Sequence, residues 1–269
     1  MKSALTKKIT ALCLLGLSLQ AFSQERSKQD WAKEAVNPLT SLTYMPLQLD
    51  HERNIGPDDD GERLTLNVQP LTSFELSNDW NLISRTIVPI VYQEDIYPDA
   101  GDQFGLGDSL QSFFFSPKED IGDGWIWGVG PALLAPTATD DDLAGDKWAI
   151  GLTAVIAKSD GPWTRGLLAN HLASFAGKDD ATNVNDTFIQ PFIDYTTEEG
   201  VTFEVTTESN YSWTHEEWSI PLIFTINKLA QIGDQMIIYG GGLRYWADGT
   251  EDDPEGLSFT FSLYFLFPN

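Results

Sequence analysis

Residues 257–267 read LSFTFSLYFLF, a pattern that leaves few folds open. In an extended strand Leu257, Phe259, Phe261, Leu263, Phe265 and Phe267 fall on one face, and Ser258, Thr260, Ser262, Tyr264 and Leu266 on the other. Successive strand side chains point to opposite sides, so one face is wholly apolar and its opposite mostly polar. A strand of this length crosses a hydrocarbon layer when tilted. A soluble sandwich strand can carry the same alternation, so the rest of the chain has to decide between the two.

The first 23 residues combine a basic start (Lys2, Lys7, Lys8), an apolar run from Ile9 to Leu19 and a small-residue site at Ala21-Phe22-Ser23. This is the pattern of a secretory signal cut after Ser23. The run is too short to span a membrane, and no later window approaches the roughly 20 apolar residues of a spanning helix. Cys13, the only cysteine, lies in the middle of the run after Leu12, which does not fit a lipid-attachment site. Removing the three lysines takes 16 basic residues to 13 against 40 acidic, and the net charge from −24 to −27. Nucleic acid is thereby excluded as a partner, since phosphate binding requires the opposite sign.

From residue 41 the chain alternates β-rich stretches with connections that are by turns long and short. The long ones are 50–62, 93–105, 137–146, 177–187 and 247–255, rich in Asp and Gly. The short ones are 77–79, 159–162 and 198–200, with 117–124 somewhat longer. Outer-membrane barrels have long outer loops and short periplasmic turns, so the rhythm assigns the two sides. Strands are expected at 43–50, 63–76, 80–92, 106–116, 125–136, 147–158, 163–176, 188–197, 201–213, 217–228, 236–246 and 257–267. Twelve is even, and an odd count would leave an edge that lipid cannot satisfy. The fold class is therefore all-β, a single transmembrane antiparallel β-barrel over residues 41–269. Residues 24–40 precede it as a periplasmic tail or a plug, with a short helix across Glu25–Val36 ended by Asn37-Pro38.

Eight of the nine tryptophans fall at expected strand ends: Trp80, Trp125, Trp127 and Trp163 after short turns, and Trp148, Trp213, Trp218 and Trp246 beside outer loops. Two belts of amphipathic rings are what the two bilayer interfaces select. Polar residues on the opposite parity mark the lumen. Thr65, Asn67 and Gln69 share one face of their strand, and Glu204, Glu208 and Asn210 share another. Arg85, Arg244 and His171 also lie within strands, which makes the pore-lining candidates Arg85, Glu204, Glu208, Asn210, Arg244 and His171. Charge inside a barrel either pairs to fill a closed core or lines a water path.

Enzymatic chemistry has little support. A hydrolase triad would need a histidine near a serine and an orienting acid or amide. Around His171, both Asn170 and Ser174 have the opposite strand parity. The aspartate runs 58–60, 140–142 and 252–253 offer hard oxygen ligands but lack the spacing of a dedicated calcium loop. Gly105-Leu106-Gly107 and Gly240-Gly241-Gly242 open no helix, so they are not nucleotide loops but places for close backbone approach. No cofactor, metal centre or catalytic residue is expected.

Several strings resemble a bacterial outer-membrane family related to the channel proteins of phenol meta-cleavage pathways, often labelled neuromedin U. They include Asn78-Asp79-Trp80-Asn81-Leu82-Ile83-Ser84-Arg85-Thr86, Phe114-Phe115-Ser116-Pro117 and Trp127-Gly128-Val129-Gly130-Pro131. Others are Gly161-Pro162-Trp163-Thr164, Ala169-Asn170-His171, Phe188-Ile189-Gln190-Pro191-Phe192 and Gly242-Leu243-Arg244-Tyr245. Ala173 stands where the family pattern carries a tryptophan. The resemblance implies a β-barrel and a transporter of small, hydrophobic or aromatic molecules, with no catalytic residues.

The sequence thus points to an exported channel of the Gram-negative cell outer membrane that passes small solutes. Its other expected partners are outer-membrane lipid and lipopolysaccharide and the barrel assembly machinery. A membrane-embedded lipid hydrolase and a structural, non-conducting barrel are the rival readings.

Overall fold

A computed structural model of the chain describes residues 26–96, 101–250 and 253–267. The expected signal segment 1–23 and the first residues of the tail lie outside the described residues. Twelve strands close into one antiparallel barrel: β1 (Thr43–Ile55), β2 (Gly61–Val68 and Leu71–Glu75), β3 (Trp80–Glu94), β4 (Gln103–Leu106 and Ser109–Pro117), β5 (Trp125–Ala135) and β6 (Lys147–Asp160). The circle continues through β7 (Trp163–Gly177), β8 (Asn185–Thr196), β9 (Val201–Thr207 and Ser209–Ser212), β10 (Glu217–Ile232), β11 (Gln235–Asp248) and β12 (Gly256–Phe267). Each strand pairs with its neighbour in sequence, and β12 closes on β1 in a register running from Thr43↔Phe267 to His51↔Phe259. With no free edge, every ladder can be satisfied inside a bilayer.

The strands overrun the expected limits mainly on the long-loop side. β1 continues to Ile55 and β2 begins at Gly61, so the first outer loop shrinks to a few residues around Asp58–Asp60, while β10 gains on the short-turn side by running to Ile232. Three strands are interrupted where the ladder meets proline or glycine or bulges. Pro70 breaks β2, the Gly107–Asp108 step breaks β4, and Glu208 breaks β9. At the first break the ladder reconnects through Gln69 N donating to Pro46 O and Thr86 N donating to Pro70 O.

Facing follows parity. On β12 Phe259 and Phe261 are 38% and 53% exposed, whereas Ser258 and Thr260 between them are 0% and 4%. Leu222, Phe224 and Ile226 on β10, and Phe203 and Val205 on β9, continue the apolar outer surface. One polar patch interrupts it. Ser84 and Thr86 on β3 and Gln111 on β4 point outward but satisfy one another, with Thr86 Oγ1 donating to Gln111 Oε1 at 2.6 Å and Gln111 Nε2 donating to Ser84 Oγ at 3.0 Å.

The aromatic belts form as expected, with one exception. Near the short turns Trp80 and Trp127 meet edge-on at 6.1 Å, and Trp163 packs on Tyr195 at 4.9 Å. At the other end Tyr211 contacts both Trp213 and Trp218. Trp246 does not join this belt. It shares the parity of Arg244 and turns inward, and its indole nitrogen is buried without a partner. The strand register outweighs a side chain's preference for the interface, because moving one residue would invert the whole strand.

The lumen is closed at the short-turn end by the segment before β1. Helix α1 (Lys28–Val36) begins with a capping box, in which Ser27 Oγ accepts from Asp30 N at 3.1 Å and Asp30 Oδ2 accepts from Ser27 N at 3.2 Å. The Ser27 hydroxyl and amide hold the Asp30 carboxyl below its ordinary pKa. Asn37 caps the other end, and Pro38 prevents continuation. Gln29 Nε2 donates to Thr196 O at 2.7 Å and Lys33 Nζ to Gly161 O at 2.5 Å, so the helix is laced to two periplasmic turns. Its inner side, Ala32 and Ala35, joins Leu39 and Leu42 in an apolar cluster with Leu71, Ile83, Phe114, Leu168, Leu229 and Leu266 from the wall. Gly128 makes room for this. A Cβ there would lie 2.8 Å from the Leu39 side chain and 3.2 Å from that of Phe114.

Candidate functional site in the barrel lumen

Between α1 and the outer loops the lumen is hollow. A lower chamber of about 150 Å³ is floored by Ala32, Ala35, Val36 and Pro38 and walled by Arg85, Asp194, Glu204 and Tyr264 among others. An upper chamber of about 300 Å³ lies toward the outer loops. Gln48, Gln69, Arg85, Gln190 and Glu208 line both, so the two chambers adjoin. The upper chamber is mixed in character. Leu110, Phe114, Leu134, Leu168, Leu172 and Phe188 from β4, β5, β7 and β8 line it together with the amides of Gln48, Asn67, Gln69, Asn170, Gln190 and Asn210, of which Asn170 and Gln190 are interspersed among the apolar residues of β7 and β8.

Charge on the inner wall is handled in two ways. Arg244 on β11 reaches across β12 to Asp50 on β1 at 3.4 Å, and across β10 to Glu208 on β9 at 2.8 Å. The Arg244 and Asp50 side chains are each 6% exposed and that of Glu208 is 26% exposed. Gln48 Nε2 donates to both Asp50 oxygens, at 3.2 and 3.0 Å. The triad is a cross-strand clamp in a low-dielectric wall, where opposite charges attract strongly only because both are already desolvated together. Elsewhere the charges are not paired. Arg85 Nη2 donates to Gln69 Oε1 at 2.7 Å, and Glu204 Oε2 accepts from Thr225 Oγ1 at 2.9 Å. Thr225 in turn accepts from Asn227 Nδ2 at 2.9 Å, and Asn227 Oδ1 from Ser262 at 2.7 Å. Among the described residues, none of Arg85, Asp194 and Glu204 has an opposite charge within ion-pair distance.

Of the six residues picked from the sequence, Arg85, Glu204 and Glu208 line the lower chamber, and Asn210 lines the upper. Arg244 is on the inner wall but is covered by its two carboxylates rather than meeting open water. His171 is a correction. It is exposed on the outer face, and Asn170 beside it takes the lumenal position. The pairing of β7 with both neighbours fixes this facing, with Leu168 and Leu172 buried inside on the alternate positions. His171 Nδ1 lies 2.9 Å from Thr187 Oγ1, which also accepts from Trp213 Nε1 at 2.8 Å. Among the described residues Thr187 is the side chain hydrogen-bonded to it. Sequence reasoning missed Asp50 and Asp194, whose only signal was an acid of inward parity within a strand.

The acidic outer loops are held by local contacts. Lys178 pairs with Asp146 at 2.8 Å and Asp141 at 3.3 Å, and these carboxylates raise its ammonium pKa above the ordinary value. Among the described residues no three His, Cys, Asp or Glu side chains come together as metal ligands.

No protein-family model and no curated sequence matches the chain. Among solved structures it is similar to an outer membrane channel from Pseudomonas putida F1, at TM-score 0.66 and 15% identity over 84% of this chain and 96% of that one. That likeness shows the fold, a transmembrane outer-membrane β-barrel. Outer membrane phospholipase A of Escherichia coli follows at TM-score 0.49 and 10% identity, covering 89% of this chain and 96% of that one. The β domain of the Bordetella autotransporter BrkA aligns at TM-score 0.45 and 9% identity, covering 85% and 100%. Neither of these two bears on function.

Proposed function

We propose that the protein is a passive outer-membrane channel for small solutes, gated at its periplasmic mouth by α1. One observation carries the reading: the lumen holds two adjoining, partly polar chambers rather than a filled core. Twelve strands fall between the packed eight-stranded barrel and the open sixteen-stranded porin, so the solute is small. The upper chamber supports a molecule with an apolar body and polar groups, because apolar side chains and amides line it together. That chemistry agrees with the small aromatic molecules implied by the family resemblance.

The floor of the cavity is the helix, whose docking rests on two alanines, two leucines and a few hydrogen bonds. Segments with so few buried contacts open at a small fraction of the global unfolding free energy. Single-channel recording in planar bilayers tests this directly. The full chain should show brief, low-conductance openings, and a variant lacking residues 24–40 should conduct steadily. If well-folded protein of both forms passes no current, the structural barrel is the right answer. The hydrolase reading is tested by ester cleavage: His171 is hydrogen-bonded to Thr187 rather than to a serine, and detergent-solubilised protein should not cleave esters.

A further inference from the structure

Asp194 on β8 and Glu204 on β9 are directly opposed in the strand register, so two inward carboxylates sit side by side on the wall of the lower chamber. Like charges directly opposite on neighbouring strands are unfavourable unless something lies between them. Asp194 is 2% exposed, and its Oδ1 is buried with no hydrogen-bond partner. Arg244, the only arginine with ion pairs in the lumen, is already engaged by Asp50 and Glu208. Arg85 spends a donor on Gln69. On α1, which floors the chamber, Lys33 turns away to Gly161 O. The wall therefore presents two carboxylates and an unused acceptor, and Arg85, which lines the same chamber, makes no ion pair with either.

The rest of the chamber tells which cation fits. Tyr44, Tyr264, Phe114 and Phe192 line it, with the two tyrosine rings 6.3 Å apart. Ring faces attract organic ammonium groups, and carboxylates and amides accept their N–H bonds. A hard metal ion would instead want several more oxygen anions than these two carboxylates provide. A volume of about 150 Å³ accepts a molecule of roughly benzene size. We propose that Asp194 and Glu204, with these aromatic rings, form a binding site for a small protonated amine just above the helix. It deepens the reading of the lumen as a solute path, and it identifies the class of solute held at the innermost step.

The test is calorimetric titration of the refolded full chain with n-propylammonium chloride, with 1-propanol and calcium chloride as parallel titrants. Binding of the amine and not of the alcohol is expected, with Asp194→Asn and Glu204→Gln each weakening it by about tenfold or more. Asp186→Asn, an inner-wall acid near the outer mouth, should bind as wild type. Removing an unanswered buried charge does not endanger folding, and the heat-dependent gel shift of each variant verifies that. Absence of amine binding by wild type, equal binding by the Asn and Gln variants, or calcium binding in place of the amine overturns the site. Conductance of the same samples separates the two readings. Current without amine binding sinks only the site, and amine binding without current sinks only the channel.

Discussion

Replacing Arg244 by Met removes the centre of the clamp between β1, β9 and β11 while keeping most of the side chain's volume. Asp50, 6% exposed, would be left with the Gln48 amide and the Thr260 hydroxyl, and Glu208, 26% exposed, with nothing of opposite sign in ion-pair contact. Breaking a buried ion pair by deleting one partner costs about 3–5 kcal/mol, because the stranded charge keeps its desolvation penalty. Glu208 is partly open to the cavity, so about 4 kcal/mol is the expected loss. At a urea slope of about 2 kcal/mol per molar, the unfolding midpoint should fall by roughly 2 M. The belt tryptophans report the transition by fluorescence in lipid vesicles, and the heat-dependent gel shift gives an independent reading of the folded fraction. Neutralising the partners as well, in the triple variant Asp50→Asn, Glu208→Gln, Arg244→Met, should recover most of the loss, since no charge is then stranded. Glu208→Gln alone should cost about 1–2 kcal/mol, because Asp50 still faces the guanidinium. An Arg244→Met midpoint indistinguishable from wild type would refute the reasoning. So would a triple variant no more stable than the single.

Phe261→Asp should impair assembly far more than Ser262→Asp, by on the order of 3 kcal/mol, since only the first puts charge into lipid. Equal yields of heat-modifiable barrel would undo the facing of β12. Gly128→Val should collide with Leu39 and loosen α1, raising the open probability in bilayer recordings without changing the gel shift. Asp30 is held below its ordinary pKa by Ser27, so its capping contribution is present above the unfolded carboxyl's pKa and lost as pH falls through the lower folded value. Faster hydrogen exchange of the α1 amides should therefore set in only below about pH 4, and Ser27→Ala should give it at neutral pH. Glu204→Gln should lower the preference for cations over anions in reversal-potential measurements, and by more than Glu208→Gln, whose charge Arg244 already answers.

Much of this molecule is legible locally. The alternation in residues 257–267, the rhythm of long and short connections and the tryptophans at strand ends each depend on a residue and its near neighbours. A strand's period of two converts such patterns directly into an inside and an outside. That is why the twelve strands, their order and the inward positions of Arg85, Glu204, Glu208 and Asn210 can be read without coordinates. The capping residues of α1 and its end at Asn37-Pro38 are equally local.

What the sequence could not decide are the matters set by which strands become neighbours and how they are offset. His171 was placed among the lumen candidates, and only the pairing of β7 with β6 and β8 turned it outward and Asn170 inward. Arg244 could have faced water or a partner. Its answer depends on Asp50, which meets it only because β12 closes on β1, and on Glu208, which the pairing of β9, β10 and β11 brings within reach. The docking of residues 26–40 likewise waited on the space left by Gly128 and on the carbonyls of Gly161 and Thr196. Periodicity tells each strand which way is in, but the contents of the lumen arise from closure of the ring, a long-range event that no short stretch of sequence encodes.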